Sequence, residues 1–151
     1  MFDILMFLFE SYFDAGSYPD SDKLTIKLSA AGFDDSEIHQ ALSWLSGLEQ
    51  LSKSNYPESI NSSGFRCYSG YEQRLISSEG LLFLAFWEKN RLITPVEREM
   101  IIDRAVALER ESLPLDKVKL IALIVLWNQH DELDPLIVED LLAPANTAQL
   151  H

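Results

Sequence analysis

The sequence predicts an all-α fold, a compact bundle of about seven helices with at most one short strand or hairpin. Between positions 118 and 127 only Lys119 is polar, so a helix there must be enclosed by other elements on all sides. A second run, at 81–87, contains no polar residue. The clearest helix boundary is TPVE at 94–97, which has a capping Thr, Pro at the first helical position and a Glu that completes a capping box.

The first third of the chain predicts three helices. Residues 1–13 are apolar nearly all round, and a short helix over 22–31 follows a turn region. Gly32 ends that helix, because glycine adopts the left-handed conformation at the least cost. The third helix begins at an acidic cap and runs to about Leu51. Its buried face comprises Ile38, Ala41, Leu42, Leu45 and Leu48, with Trp44 and Leu51 at the edge.

The segment 52–64, SKSNYPESINSSG, predicts a linker. Ser and Asn are abundant in it, and Pro and Gly interrupt regular structure. We expect a short extended segment at 65–68. Ser69 and Glu72 have the spacing of a capping box, which predicts a short helix to about Leu75.

The rest of the chain predicts four helices and a tail. A buried strand would also suit the run at 81–87, but polar residues continue the run without a breaker, which favours a helix. We expect the four helices at 78–91, 95–110, 115–129 and 135–142. The predicted organisation is an N-terminal helical subdomain (1–51), the linker (52–64), a C-terminal helical subdomain around helix 115–129 (65–142) and a frayed tail (143–151). Whether the two subdomains pack as one domain stays open.

The net charge of −12 disfavours binding to nucleic acid or to an anionic membrane. Such binding rests on Lys and Arg side chains that neutralise phosphates. Cys67 is the one cysteine, so no intramolecular disulfide can form, and we expect the thiol to pack beside Tyr68. A secretory signal is not visible, and no apolar run reaches the roughly 18 residues that a membrane span requires. We therefore expect a cytoplasmic protein.

Several stretches resemble the bacterial Smg family. They are MFDILMFLFESY at the start, DKL followed by AGFDDSEIHQALSWLSGL, REMIIDRAVALE, LDKVKLIALIVLWN and the terminal Leu150-His151. The similarity covers nearly the whole chain in the same order and is weakest at 52–63. The family has no established activity, cofactor or catalytic residues, so the resemblance assigns none to this chain.

The helices at 22–31 and 35–51, joined through Gly32, resemble a helix-turn-helix. A DNA-binding role would send the second helix into the major groove, but Lys and Arg are absent from 34–51. Base readout and phosphate contacts both depend on such cations. A helical hairpin packed on the first helix is the plainer interpretation, and a protein-binding groove beside it is a further alternative.

No pattern in the sequence predicts catalysis or a cofactor. A phosphate-binding glycine loop and a nucleophile elbow are not found, and the acidic pairs lie in polar surroundings where a raised pKa is not expected. His39, His130 and His151 lack a second His or a Cys at metal-binding spacing. We therefore expect no enzyme, no bound cofactor and no metal.

Aromatic and arginine side chains, which are enriched in interface hot spots, suggest a partner-binding surface. The candidates are Trp44, Phe65, Arg66, Tyr68 and Arg74. The leading hypothesis is a non-enzymatic cytoplasmic protein that binds or regulates another protein. The alternatives are a nucleic-acid-associated regulator that uses the pair 22–51, and an acidic mimic of DNA.

Overall fold

The computed structural model of the chain describes residues 1–51, 56 and 66–143. Within these ranges the chain forms eight α-helices and no β-sheet. The helices are α1 (Phe2–Tyr12), α2 (Ser21–Ala30), α3 (Asp35–Gln50), α4 (Gly70–Leu75), α5 (Ser78–Lys89), α6 (Pro95–Val106), α7 (Leu115–Gln129) and α8 (Pro135–Leu142). The predicted all-α fold is confirmed. None of the described helices combines the length and the apolar content that crossing a lipid bilayer requires.

Helix α7 is the centre of the bundle and has the predicted bounds. Every residue from 118 to 127 is buried, and α1, α5, α6 and α8 pack around it. Lys119, whose side chain is only 2% exposed, directs its Nζ to the carbonyl oxygen of Asp140 in α8 at 3.4 Å. The one polar residue of the run is therefore accommodated by a backbone acceptor, as buried charged groups require.

The two predicted subdomains contribute to one contiguous core. Helices α1 and α3 of the N-terminal part contact α7 and α6 of the C-terminal part. The ring of Phe9 in α1 meets that of Trp127 in α7 edge-on, with centroids 5.4 Å apart. Apolar burial thus joins both parts. The predicted linker, apart from residue 56, and the predicted tail, apart from residue 143, lie outside the described residues.

The predicted capping boxes are present where the sequence places them. Ser69 and Thr94 each accept a hydrogen bond from the backbone of the Glu three residues later, and that Glu bonds back, so both are complete capping boxes. Asp34 occupies the N-cap position of α3, but its side chain accepts from the hydroxyl of Ser36 and caps no backbone N–H. Gly32 adopts the left-handed conformation with φ +98°. These features depend on four or five consecutive residues, which explains why the sequence predicts them.

Two predicted helix ends are wrong. Helix α5 stops at Lys89 instead of Arg91, which has a φ of +60°, and α6 stops at Val106 instead of Arg110. Beyond α6, the backbone N–H groups of Ser112 and Leu113 donate to the carbonyls of residues 74 and 75 at the end of α4. The chain leaves the helix early because those long-range hydrogen bonds replace further helical ones.

The expected extended segment at 65–68 does not form a strand where the structure describes it. Residues 66–69 have no regular secondary structure, and residue 65 lies outside the described ranges. The isolated backbone bridge instead joins Ile76 to Leu113. The thiol of Cys67 is exposed and is not packed beside Tyr68 as predicted. The side chain that reaches the helices is that of the preceding residue, Arg66, which bonds to Glu99 of α6.

Candidate functional site

A cleft of about 490 Å³ lies between the start of α1, one face of α3 and the C-terminal end of α6. The wall from α3 consists of His39, Gln40, Ser43, Trp44 and Gly47. Their spacing places them on one helical face. Arg104 at the end of α6 and Arg110 in the following loop form the opposite wall. We refer to this space as the α3–α6 cleft.

Trp44 and Arg104 fasten the two walls of the cleft together. The indole N–H of Trp44 donates to the carbonyl oxygen of Arg104 at 2.9 Å, and Nη1 of Arg104 donates to the carbonyl oxygen of Trp44 at 3.0 Å. The guanidinium carbon lies 5.8 Å from the centroid of the Trp44 ring, within the range of a cation–π contact. These reciprocal contacts hold α3 against α6.

Gly47 makes room for the Arg104 guanidinium. A Cβ atom at position 47 would lie 2.3 Å from Nη1 of Arg104, closer than real Cβ contacts. Glycine inside a helix is unfavourable by about 1 kcal/mol relative to alanine, so a helical glycine needs another reason. The close approach of the arginine supplies that reason here.

The cleft is lined by cationic groups, and no lining residue in the described part of the chain is a carboxylate. Arg104 forms an ion pair with Asp103, at 2.8 Å, on the outer side of α6. Arg110 makes no ion pair within the described ranges, and its guanidinium stacks over the ring of Phe2 at 5.5 Å. Lys117 lies 5.1 Å from the same ring and pairs with Asp116 at 3.9 Å. Arg110 is therefore the lining guanidinium that no carboxylate of the described chain neutralises, in a chain of net charge −12.

Trp44 is the sequence-predicted site residue that lines this cleft. Its side chain is 5% exposed, so it forms a wall and offers little ring surface to a partner. Sequence reasoning missed Gly47, Arg104 and Arg110. The glycine within a helical pattern is the signal that could have indicated the close approach. The arginines come from a distant part of the chain, and no local pattern links them to α3.

Arg66, Tyr68 and Arg74 lie elsewhere, around α4 and the outer side of α6, and Phe65 lies outside the described residues. Arg66 bridges Glu72 at 2.7 Å and Glu99 at 2.9 Å. The hydrogen bond to Glu72, more than any other contact, raises the pKa of Arg66. Its positive charge is therefore already neutralised within the chain.

The same ion network extends inward through Arg98. This buried arginine pairs with Glu99 at 2.7 Å and with Glu88 of α5 at 2.6 Å. The guanidinium of Arg66 also lies 4.9 Å from the half-buried ring of Tyr68, and burial raises the pKa of that phenol. The network attaches residues 66–69 to α5 and α6 and so stabilises the fold. Its charged groups are paired within the chain, which leaves few of them free to bind a partner.

Arg74 is the predicted arginine that stays available. Its side chain is 59% exposed, its guanidinium lies 5.2 Å from the ring of Tyr71, and the nearest carboxylate, Glu111, is 4.0 Å away. An exposed arginine over an exposed tyrosine is a common feature of protein surfaces. It serves below as a matched control for the arginines of the cleft.

His151 lies outside the described residues, and the two histidines within them occupy separate places. His39 lines the α3–α6 cleft, whereas Nε2 of His130 lies 2.5 Å from a carboxylate oxygen of Glu97. Glu97 is the residue that completes the capping box of α6, so this contact attaches the loop after α7 to the start of α6. Among the described residues, no three His, Cys, Asp or Glu side chains are grouped so that they could hold a metal ion.

Comparison with known proteins identifies the family. The model of a family described as "Protein of unknown function (DUF494)" matches residues 1–151. A relative from Nitrosomonas europaea named "Protein Smg homolog" is 42% identical, and the alignment covers all of both chains. The chain belongs to the Smg family. The resemblance seen in the sequence is thereby confirmed.

Other members of the Smg family have similar identity. The "Protein Smg homolog" of Methylobacillus flagellatus is 38% identical over the full length of both chains. That of an Azoarcus species is 44% identical over 95% of this chain and 93% of the relative. No solved structure matches the chain. Because these names state no activity, the function has to be argued from the residues of the fold.

Proposed function

We propose that this member of the Smg family acts without catalysis by binding another protein, and that the α3–α6 cleft receives an acidic segment of that partner. The observation that carries the proposal is the charge of the cleft. Its walls present the guanidinium groups of Arg104, which pairs with Asp103, and of Arg110, with no lining carboxylate in the described residues, although the chain as a whole carries −12. Such a local reversal of sign favours an anionic ligand by charge complementarity.

The lining residues are hydrogen-bond donors of the kind that recognise carboxylates. A guanidinium offers parallel N–H groups that match the two oxygens of a carboxylate. Arg110 is exposed and has no ion pair in the described ranges, so it is the residue best placed to contribute. Gln40 and Ser43 add neutral polar groups along the α3 wall. An Asp or Glu side chain of a partner fits this arrangement.

The surroundings of the cleft favour a protein over a nucleic acid. The exposed charged groups of α3 are Asp35, Glu37 and Glu49, and no Lys or Arg lies on that helix. A polynucleotide needs cations at successive phosphates, and α3 supplies none. A short acidic peptide segment needs only the few cations present. No observation in the fold favours the alternative role of the pair 22–51 in nucleic-acid binding.

The experiment is site-specific photo-cross-linking in living cells of the source organism. A benzophenone amino acid replaces Ser43, an exposed residue of the cleft, or Ser29, an exposed residue of α2 outside the cleft. We expect a cross-linked protein from position 43 and not from position 29. Mass spectrometry is expected to map the cross-link to a segment rich in Asp or Glu.

Charge reversal provides the matched comparison. Arg110→Glu, in the cleft, is expected to abolish the cross-link from position 43, whereas Arg74→Glu, the same substitution at an exposed arginine elsewhere, is expected to leave it unchanged. Circular dichroism verifies that both variants fold. Loss of the cross-link in Arg74→Glu alone, a partner segment without acids, or equal labelling from position 29 would each refute the assignment of the cleft.

A further inference from the structure

One face of α5 lies outside the core and carries large apolar side chains. Leu82 is 70% exposed and Phe86 is 53% exposed, whereas Phe83, Leu84 and Trp87 on the opposite face are buried. Because Leu82 and Phe86 are four residues apart, they adjoin on one helical face and form a continuous apolar strip. Adjacent exposed apolar residues of this kind are typical of interaction surfaces.

Opposite charges flank the strip at equal distances. Glu79 lies three residues before Leu82, and Lys89 lies three residues after Phe86. At 100° per residue all four fall within about 80° of the helix circumference, so they share one face. Glu79 and Lys89 are exposed and make no hydrogen bond or ion pair within the described ranges. The order of the face is therefore acid, apolar, apolar, base, centred on position 84.

This order is complementary to itself when reversed. If a second copy of α5 lies antiparallel across the first with a two-fold axis at position 84, Glu79 of each copy faces Lys89 of the other. Leu82 of each copy then faces Phe86 of the other. The exposed Ala85 beside the strip is small and allows the close approach that packed helices require.

From this self-complementarity we propose that α5 is the contact surface of a symmetric homodimer, with a second copy of the chain packed antiparallel on the Glu79–Leu82–Phe86–Lys89 face. Two ion pairs flank two apolar contacts, so the charges set the direction of pairing and the apolar strip supplies the burial. One helical face is small for an interface, which makes the dimer weak and dependent on concentration. The dimer does not involve the α3–α6 cleft, so it stands or falls separately from the proposed function.

The helix dipole gives an alternative reason for the same charges, since acids are favoured at helix N-termini and bases at C-termini. That effect acts within one molecule and cannot couple two chains. A test therefore has to combine charges from two different molecules.

The test is sedimentation velocity of the full chain from low micromolar to submillimolar concentration. Wild type is expected to shift from monomer to dimer over this range. Glu79→Lys gives a face with two bases and Lys89→Glu gives a face with two acids, so each variant alone is expected to stay monomeric. An equimolar mixture of the two variants is expected to dimerise again, because each acid then meets a base of the other chain.

Two further variants complete the design. The double variant Glu79→Lys with Lys89→Glu retains complementary charges and is expected to dimerise like wild type. Lys23→Glu, at an exposed position of α2, makes the same change in net charge as Lys89→Glu alone and is expected to have no effect on dimerisation. Circular dichroism establishes that each variant is folded. A wild-type chain that stays monomeric, single variants that dimerise unchanged, or a mixture that stays monomeric would each overturn the proposal.

Discussion

Gly47→Ala tests the packing of α3 against α6 most directly. The new Cβ would lie 2.3 Å from Nη1 and 3.0 Å from Cζ of Arg104, so the guanidinium has to move. Its present position is held by the hydrogen bond from Nη1 to the carbonyl oxygen of Trp44. Movement by the required distance breaks that bond.

The magnitude follows from two opposing effects. Alanine in place of glycine within a helix stabilises the folded state by about 1 kcal/mol. A hydrogen bond made by a charged group contributes about 1.5–3 kcal/mol. We therefore expect Gly47→Ala to lower the free energy of unfolding by about 0.5–2 kcal/mol. Without the arginine contact, the same substitution has only the favourable effect.

Urea unfolding followed by circular dichroism measures both cases in one cycle. Gly47→Ala is made in the wild type and in an Arg104→Ala background. We expect destabilisation in the wild type and stabilisation by about 1 kcal/mol in the background, which is a change of sign. Stabilisation by the same amount in both would refute the reasoning, because it would mean that Arg104 relocates without loss.

Three further predictions concern the core, a cap and the ion network. Ile121→Asp places an unpaired charge in the centre of α7 and is expected to destabilise the fold by several kcal/mol in urea unfolding. Ile26→Asp, the same substitution at a residue that is 70% exposed, is expected to change the free energy of unfolding little. Equal stability of the two variants in urea would contradict the placement of α7. Thr94→Ala removes the side-chain cap of α6 and is expected to cost about 1 kcal/mol by the same assay, whereas an unchanged midpoint would show that the cap contributes nothing. Burial opposes ionisation of Glu72, but the hydrogen bonds from Arg66 and from the capped backbone outweigh it, so the pKa of Glu72 lies below its ordinary value of 4.5. A lowered pKa in the folded state adds stability above the unfolded value, and that stability is lost as pH falls through the folded value. Glu72→Gln is therefore expected to flatten the decline of the melting temperature below pH 4.5, and an unaltered decline would show that Glu72 does not contribute to it.

Helix positions were predictable wherever their cause is local. The bounds of α7 match the prediction because Pro114 precedes the helix and the apolar run leaves no other arrangement in water. The ends of α5 and α6 were not predictable in the same way. Residues 107–110 suit a helix by themselves, and the hydrogen bonds that draw the chain toward residues 74 and 75 come from a distant segment.

The predicted partner-binding residues also show the difference between what local sequence indicates and what the fold decides. Trp44 and the three residues Arg66, Tyr68 and Arg74 were chosen by residue type, and the fold separates them into the wall of a cleft, a satisfied ion network and one exposed arginine. Residue type indicates that a side chain can contribute to an interface. Residue type does not indicate whether another residue of the same chain already bonds to that side chain.

The sequence by itself determined the all-α class, the capping boxes and the family. Hydropathy patterns, capping residues and family similarity all depend on the order of residues along the chain and not on how distant segments pack. Only the tertiary structure decided which charges are neutralised and which remain. Arg66 meets Glu99 across 33 positions, and Trp44 meets Arg104 across 60. Electrostatic pairing depends on distance in space, and the packing of the segment at 66–69 and of α3 against α6 sets those distances. The basic cleft of an acidic protein is therefore a product of the fold and not of any one segment.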